Sequence, residues 1–158
     1  MAVTFPMTVG GHNTLKAELS RLRKFDRLEV VAEIEVARAH GDLKENAEYH
    51  AAKERQGMIE ARVKQIEQRL SHAQVINPSS LDGDRVLFGA HVTIFLVEEQ
   101  EQVTYQIVGD DEADIKEFKI CYASPIARAL IGKEEGDEVI IRAPRGNRAA
   151  EILEVEFR

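Results

Sequence analysis

The feature that most constrains the fold is a regular apolar seam in the first half of the chain. Its members recur at alternating spacings of four and three: Ala52, Gln56, Ile59, Val63, Ile66, Leu70 and Ala73. This is the a/d pattern of a coiled coil, with one polar break at Gln56. Neither Gly nor Pro interrupts residues 58–75. The pattern predicts a helix of roughly thirty residues, about 45 Å long at about 1.5 Å per residue.

A second apolar seam lies upstream and predicts a second helix. Its members are Leu15, Leu19, Leu22, Val30, Ile34 and Ala37. The register slips within this seam, because the step from Leu22 to Val30 is eight residues and not seven. Asp26 and Glu29 have the spacing of a capping box, so we expect a bend or a restart near residues 25–26 and a helix that ends near His40. Two such helices with a short connection form an antiparallel coiled-coil hairpin.

Beyond residue 76 the pattern changes from helical to extended. Pro78 lies in a linker, residues 77–80, that stops the helix. Runs rich in β-branched and aromatic residues then predict strands at 86–88, 91–97, 105–108, 139–141 and 152–157. Ser124, Pro125 and Gly132 occupy the cap, first and final positions of a short helix. The chain is therefore predicted to be α+β, with a hairpin over residues 1–76 and a small β domain with one helix over residues 81–158.

Charge and composition exclude several classes of protein. The net charge of −7 is uneven: residues 1–77 carry 12 Lys and Arg against 11 Asp and Glu, whereas residues 78–158 carry 9 against 17. The acidic second half argues against a general nucleic-acid coat. The single cysteine, Cys121, excludes an internal disulfide and a Cys-rich zinc site. No apolar run could span a bilayer and no signal peptide is present, so we expect a cytoplasmic protein that does not bind membranes.

Two carboxylates, Asp42 and Glu45, lie in the predicted connection between the helices and have two interpretations. In the structural one, Asp42 caps the second helix and Glu45 reaches back in a capping box, and spacing alone favours this. In the functional one, both help to hold a divalent ion. Two side chains cannot complete the octahedron of Mg²⁺, so this interpretation requires a partner that supplies further ligands. The acidic run 110–114 lacks the spacing of a calcium loop and indicates a solvated turn.

Longer motifs resemble the bacterial Gre transcript cleavage factors, most of all their A-type branch. The most specific is the run from His40 through Gly41, Asp42 and Glu45 to Ala52. Further matching runs are 37–38, 70–71, 73–76, 108–114, 124–128 and 130–135. Together these matches cover both predicted domains and nearly the whole length of the chain.

The resemblance implies a partner and a mechanism. Gre factors bind RNA polymerase and insert the coiled coil into its secondary channel, while a C-terminal domain with an FK506-binding-protein-like fold docks at the outer rim. They are not enzymes, but stimulate the polymerase's own cleavage of backtracked nascent RNA at its 3′ end. Asp42 and Glu45 would help to hold the second catalytic Mg²⁺, which is shared with the polymerase and not bound stably by the factor alone. The factor is expected to be a monomer.

The resemblance also assigns contact residues. Arg38 matches a basic patch that contacts RNA; Lys53 stands where the family usually has Arg and keeps the charge without the forked contact. Arg55 lies nearby, and a solvated helix face explains Lys53 and Arg55 equally well. Residues 124–135 are expected to contribute to the contact with polymerase, with candidate contacts at Ser124, Pro125, Arg128 and Lys133. At least two of Ile126, Leu130 and Ile131 are expected in the core.

Two alternative functions remain open. One is a regulator that binds the secondary channel and inhibits the polymerase without promoting cleavage; such relatives tend to have altered or extra acids at the tip. The other is a prolyl isomerase or chaperone, which only the fold class of the second domain suggests. An isomerase pocket needs clustered aromatic residues, and this chain has no Trp. A peptide isomerisation assay distinguishes this second alternative from transcript cleavage.

Overall fold

A computed structural model describes residues 4–41 and 46–158 of the chain. Its contacts divide the chain into two compact units. The first includes His12–Ala73, and the second combines Phe5–Gly11 with Gln74–Arg158. The predicted fold class is confirmed, since a long helical hairpin is followed by a curved, mixed β-sheet unit with one helix, as expected for an FK506-binding-protein-like domain.

The first unit is built from helices α1 (Val9–Arg21), α2 (Arg27–Arg38) and α3 (Ala47–Ser71). The predicted seam is buried between the helices. Its buried members are Leu15, Leu19, Leu22, Val30, Ile34, Ala37, Ala52, Ile59, Val63 and Ile66. Ion pairs flank this seam and join the helices in antiparallel register: Arg27 with Glu60 at 2.7 Å, and Arg23 with Glu67 at 2.9 Å. Apolar burial along the seam thus holds the hairpin together.

A π-helical turn, Leu22–Asp26, links α1 to α2 and explains the slip in register. The Arg27 N–H donates to the Leu22 carbonyl, five residues back, so this turn contains one residue more than an α-helical turn. Leu22 and Val30 therefore face the seam together although eight residues separate them. The predicted capping box is wrong: Asp26 has helical φ and ψ of −64° and −42° and makes no side-chain cap bond.

The end of α3 also differs from the prediction. The seam suggested a helix through Ala73, but α3 ends at Ser71, and His72 leaves the helical region with φ −114° and ψ 20°. Ala73–Ile76 instead forms strand β2, which pairs with β1 (Phe5–Thr8) in a two-stranded sheet. The β-branched Val75 and Ile76 favour this extended conformation, whereas spacing alone could not mark the last helical turn.

The main sheet of the second unit has five strands in the order β5-β4-β3-β7-β6. Its strands are β3 (His91–Leu96), β4 (Glu101–Val108), β5 (Lys119–Cys121), β6 (Glu138–Ala143) and β7 (Gly146–Glu156). Neighbours are antiparallel except β4 and β5, which are parallel. A bulge interrupts the β3–β7 register between Thr93 and Ile94. Residues 86–88, predicted as a strand, form none; only Arg85 makes an isolated bridge, to Glu134.

The short helix α4 (Pro125–Leu130) packs against β6 and closes the core of this unit. It begins as predicted, with Ser124 at the cap, but it ends at Leu130, two residues before Gly132, whose φ is +88°. Fully buried core members include Val86, Val92, Ile94, Ile107, Leu130, Ile141 and Ile152. Within residues 4–41 and 46–158, no helix is long and apolar enough to cross a membrane.

Candidate functional site

The end of the hairpin is organised by Asn46. Its side-chain oxygen accepts a hydrogen bond from the Tyr49 N–H at 3.0 Å, which makes Asn46 the N-cap of α3. Its amide nitrogen donates to the Ala37 carbonyl of α2 at 2.5 Å. One side chain therefore starts α3 and joins that start to the last turn of α2. Asp42 and Glu45, the predicted catalytic pair, lie outside the described residues.

The position of this cap corrects the structural interpretation of the two acids. That interpretation made Asp42 the cap of the second helix and Glu45 the third helical residue. Because α3 begins at Ala47 with Asn46 as its cap, the predicted capping box is wrong. The spacing of the acids did not point to Asn46, although Asn is among the most favoured capping residues. Capping of α3 is therefore no longer a reason for acids at positions 42 and 45.

Two of the three predicted RNA contacts are exposed near this end of the hairpin. Arg38 is the last residue of α2, and Lys53 lies in the second turn of α3. The Lys53 ammonium donates to Gln56 at 3.2 Å, also at the surface. Among the described residues, no carboxylate pairs with either Arg38 or Lys53. Within the described part of the chain, neither positive charge is neutralised by an ion pair.

Arg55, the third predicted RNA contact, has partners inside the hairpin. Its guanidinium lies 2.5 Å from Glu33 and 3.5 Å from Glu29, both on α2. The hydrogen bond to Glu33 is the main cause that raises the pKa of Arg55 above its usual value, and the nearby negative charges add to it. These ion pairs give Arg55 a role in joining α2 to α3. Its contact with RNA stays a prediction.

The predicted docking segment divides into buried and exposed parts. Ser124 caps α4, since its hydroxyl accepts from the Ala127 N–H at 3.3 Å. Leu130 is fully buried, and Ile126 packs against the core, whereas Ile131 is 37% exposed. These positions agree with the expectation that at least two of the three apolar residues are core. Three candidate contacts are exposed: Pro125, Arg128 and Lys133.

The exposed side of α4 continues onto strand β6. Pro125, Arg128 and Ala129 line a shallow groove of about 370 Å³ together with Ile140 and Arg142. Ile140 is 56% exposed. Neither arginine forms an ion pair with another described residue. Ile140 and Arg142 were not predicted from the sequence. Buried and exposed residues alternate along β6, but this alternation does not show which face adjoins α4.

Within residues 4–41 and 46–158, no group of three or more His, Cys, Asp or Glu side chains is arranged to hold an ion. The predicted Mg²⁺ contact depends on Asp42 and Glu45 alone.

Both halves of the chain match models of known protein families. Residues 5–75 match "Transcription elongation factor, N-terminal", and residues 81–157 match "Transcription elongation factor, GreA/GreB, C-term". The chain belongs to the GreA/GreB family of transcription elongation factors. The resemblance inferred from the motifs is confirmed.

Relatives agree with this assignment over nearly their whole length. The transcription elongation factor GreA of Thioalkalivibrio sulfidiphilus is 60% identical over 153 residues, which are 96% of this chain and 97% of the relative. GreA of Francisella philomiragia is 55% identical over 154 residues, covering 97% and 96%. The crystal structure of GreA factor homolog 1 of Thermus thermophilus is 26% identical, covers 98% of this chain and 99% of its own, and has a TM-score of 0.45. The sequence matches, and not this superposition, carry the family assignment.

Proposed function

We propose that this transcription elongation factor stimulates the cleavage of backtracked RNA by RNA polymerase. The observation that carries the proposal is the cap at Asn46, because it removes the structural explanation for the acids at positions 42 and 45. The resemblance of residues 40–52 to the transcript cleavage factors supports the same role. Asp42 and Glu45 then serve a partner and not the start of α3.

In this proposal the hairpin enters the secondary channel of the polymerase and carries both acids to its active site. Carboxylate oxygens suit Mg²⁺, but two side chains leave most of its octahedral sites to other ligands, which the polymerase supplies. When bound there, the second Mg²⁺ would stabilise charge on the reacting oxygens of the cleaved phosphodiester. The role of Asp42 and Glu45 is to help hold and orient that ion. The bond is broken by the active site of the polymerase, so the factor is not itself an enzyme.

The second unit docks outside the channel in this proposal. The exposed residues Pro125, Arg128 and Lys133 provide its contact with the polymerase. Ser124 supports them indirectly, because it caps the helix that presents Pro125 and Arg128. Charged residues at an exposed rim affect partner selection and association more than the stability of the fold.

The direct test is cleavage of RNA in a purified, backtracked elongation complex. The complex carries RNA labelled at its 5′ end and receives Mg²⁺ with or without the factor, and the products are sized on a gel. We expect shortened RNA that can be extended again when nucleotides are added. Slower elongation without any shortened product would instead support the inhibitory regulator. Isomerisation of a proline-containing peptide, with no effect on the complex, would support the prolyl isomerase alternative.

Charge reversal at Arg38 or Lys53 is expected to weaken the contact with extruded RNA. For Arg38→Glu and Lys53→Glu we expect at least about a fivefold loss of crosslinking between factor and RNA 3′ end, because two charges of opposite sign at a phosphate differ by more than about 1 kcal/mol. Lys64→Glu is the matched control: it lies eleven residues after Lys53, on the same face of α3 and about 16 Å further from the tip. Equal loss in all three variants would contradict a localised RNA contact.

A further inference from the structure

Helix α2 and the turn before it are apolar on two opposite sides. The side that faces α3 carries the buried seam described above. On the other side, apolar residues recur at spacings of three, four and four: Phe25, Leu28, Ala32 and Val36. Phe25 is 67% exposed, Leu28 65% and Val36 61%. We call these four residues the outer stripe. A helix that is apolar all round is normally covered all round, and here one of the two apolar sides faces solvent.

Helix α3 lacks a comparable row of apolar residues on its outer side. Exposed polar residues stand there instead: His50, Glu54, Lys64 and Gln68. Met58, a large apolar residue of α3, is 68% exposed. A single apolar residue at a surface is ordinary, whereas a contiguous row along one helix face marks a surface that binds a partner. The difference between the two helices therefore places such a surface on the α2 side of the hairpin.

The outer stripe continues into a groove between α2 and α3. Ala32 and Val36 belong to the stripe and also line this groove, together with Ala37, Ala51 and Ala52. The groove has a volume of about 570 Å³, and the short alanine side chains leave it open. An exposed apolar row beside an apolar groove is the arrangement that accepts a segment laid along a helix pair.

Acidic side chains border this apolar surface. Glu29, Glu33 and Glu48 line the groove, and Arg55, which pairs with Glu29 and Glu33, is the only base in its lining. Glu35 is exposed beside Val36 and adds a further negative charge. This border repels phosphate groups, and it also disfavours a second copy of the chain, because two copies would bring their acidic borders together. It favours a partner segment that carries Lys or Arg beside its apolar residues.

We propose that the outer stripe and its groove bind an apolar segment of RNA polymerase that is flanked by Lys or Arg, an inference that rests on the proposed function. In that function the hairpin lies inside the polymerase, where an apolar side can be covered by protein. Arg38, a predicted RNA contact, lies about 160° around α2 from Val36. The hairpin would thus contact RNA on one side of α2 and protein on another.

Glutamine at Leu28 and Val36 tests the apolar contact. We expect the double variant Leu28→Gln, Val36→Gln to bind polymerase at least about tenfold more weakly in competition with labelled wild-type factor, because two apolar side chains no longer leave water on binding. Gln is a good helix former and both sites are exposed, so the melting temperature should change little. Leu28→Met with Val36→Ile keeps the apolar character and should bind normally. Unchanged affinity of the glutamine variant would overturn the proposal.

Met58→Gln is the matched control for this pair. Met58 is as exposed as Leu28, and the Arg27–Glu60 ion pair places the two residues at nearly the same level of the hairpin, on different helices. We expect this variant to change the affinity by less than about twofold. The acidic border is tested by Glu35→Lys, which should weaken binding about threefold or more, with Glu54→Lys on the outer side of α3 as its control. Equal effects of these two reversals would overturn the charge complementarity.

Crosslinking identifies what covers the outer stripe. A photoreactive benzoylphenylalanine in place of Leu28 is irradiated in the complex with polymerase, and the crosslinked peptide is sequenced. We expect an apolar polymerase segment with Lys or Arg beside it. A crosslink to RNA, or to a second copy of the factor, would overturn the proposal. If the stripe binds polymerase but no shortened RNA appears, the proposed function fails alone. If RNA is cleaved and the glutamine variant binds like the wild type, this inference fails alone.

Discussion

Alanine at Asp42 or at Glu45 is expected to reduce factor-stimulated RNA cleavage by about a hundredfold or more. Metal ions contribute several kcal/mol to stabilising charge in a phosphodiester transition state, and each ~1.4 kcal/mol is a factor of about ten in rate. Polymerase binding should stay close to normal, because docking depends on the second unit and on the shaft of the hairpin. The rate is measured by RNA sizing in backtracked complexes at saturating factor, and affinity by competition with labelled wild-type factor.

Asn46→Ala provides the structural control for the tip substitutions. It removes the cap of α3, so it should cost about 1 kcal/mol of stability and lower the melting temperature, with a smaller effect on cleavage than either acid. Raising the Mg²⁺ concentration should partly restore Asp42→Ala if loss of metal affinity is the cause. A folded Asp42→Ala protein that binds polymerase and cleaves at the wild-type rate would remove the acid from the mechanism.

Charge reversal at Arg128 on α4 and at Lys133, three residues after its end, is expected to abolish most polymerase binding. We expect Arg128→Glu with Lys133→Glu to weaken affinity at least about tenfold, as buried arginine contacts in interfaces commonly contribute about 2 kcal/mol or more. Both side chains are exposed, so the melting temperature should change little. The binding competition assay measures the effect. Lys116→Glu makes the same change at an exposed lysine outside the docking segment 124–135 and should bind normally.

Leu130→Ala separates loss of docking from loss of fold. Leu130 is fully buried beneath the same helix, and its truncation should cost about 2–5 kcal/mol of stability. This variant should lose binding and thermal stability together, whereas the charge variants lose binding alone. If the Arg128→Glu, Lys133→Glu double variant competes for polymerase as well as the wild-type factor does, docking through α4 is contradicted.

The interior of the hairpin could be predicted from sequence because its signal is local. Leu15, Ile34, Ile59 and Ile66 recur with the period of a helix, and burial of one face is the direct consequence of that period. The same holds for α4, where Ser124 as cap reflects a local preference. The apparent capping box at Asp26 failed because a π-helical turn keeps the helix continuous, and spacing alone gives no sign of that turn.

The features that sequence could not predict depend on distant or competing partners. Strand β2 forms where the seam seemed to continue, because Phe5–Thr8 lies beside it. Glu112 bonds to Thr8 across 104 residues, and no local pattern reveals a partner so far away. At the tip, Asn46 and Asp42 are both good capping residues, and only the position of the first turn of α3 decides between them.

The π-helical turn at Leu22–Asp26 makes chain length adjustable at one point of the hairpin. Eight residues bring Leu22 and Val30 to the same face only because this turn contains one extra residue. Loss of a single residue here would restore the ordinary spacing of seven, and an α-helical turn would present the same two side chains to α3. Elsewhere in α2 an identical deletion would rotate half of the seam away by about 100°. A chain one residue shorter in this turn can therefore keep Leu22 and Val30 on the buried face of the hairpin.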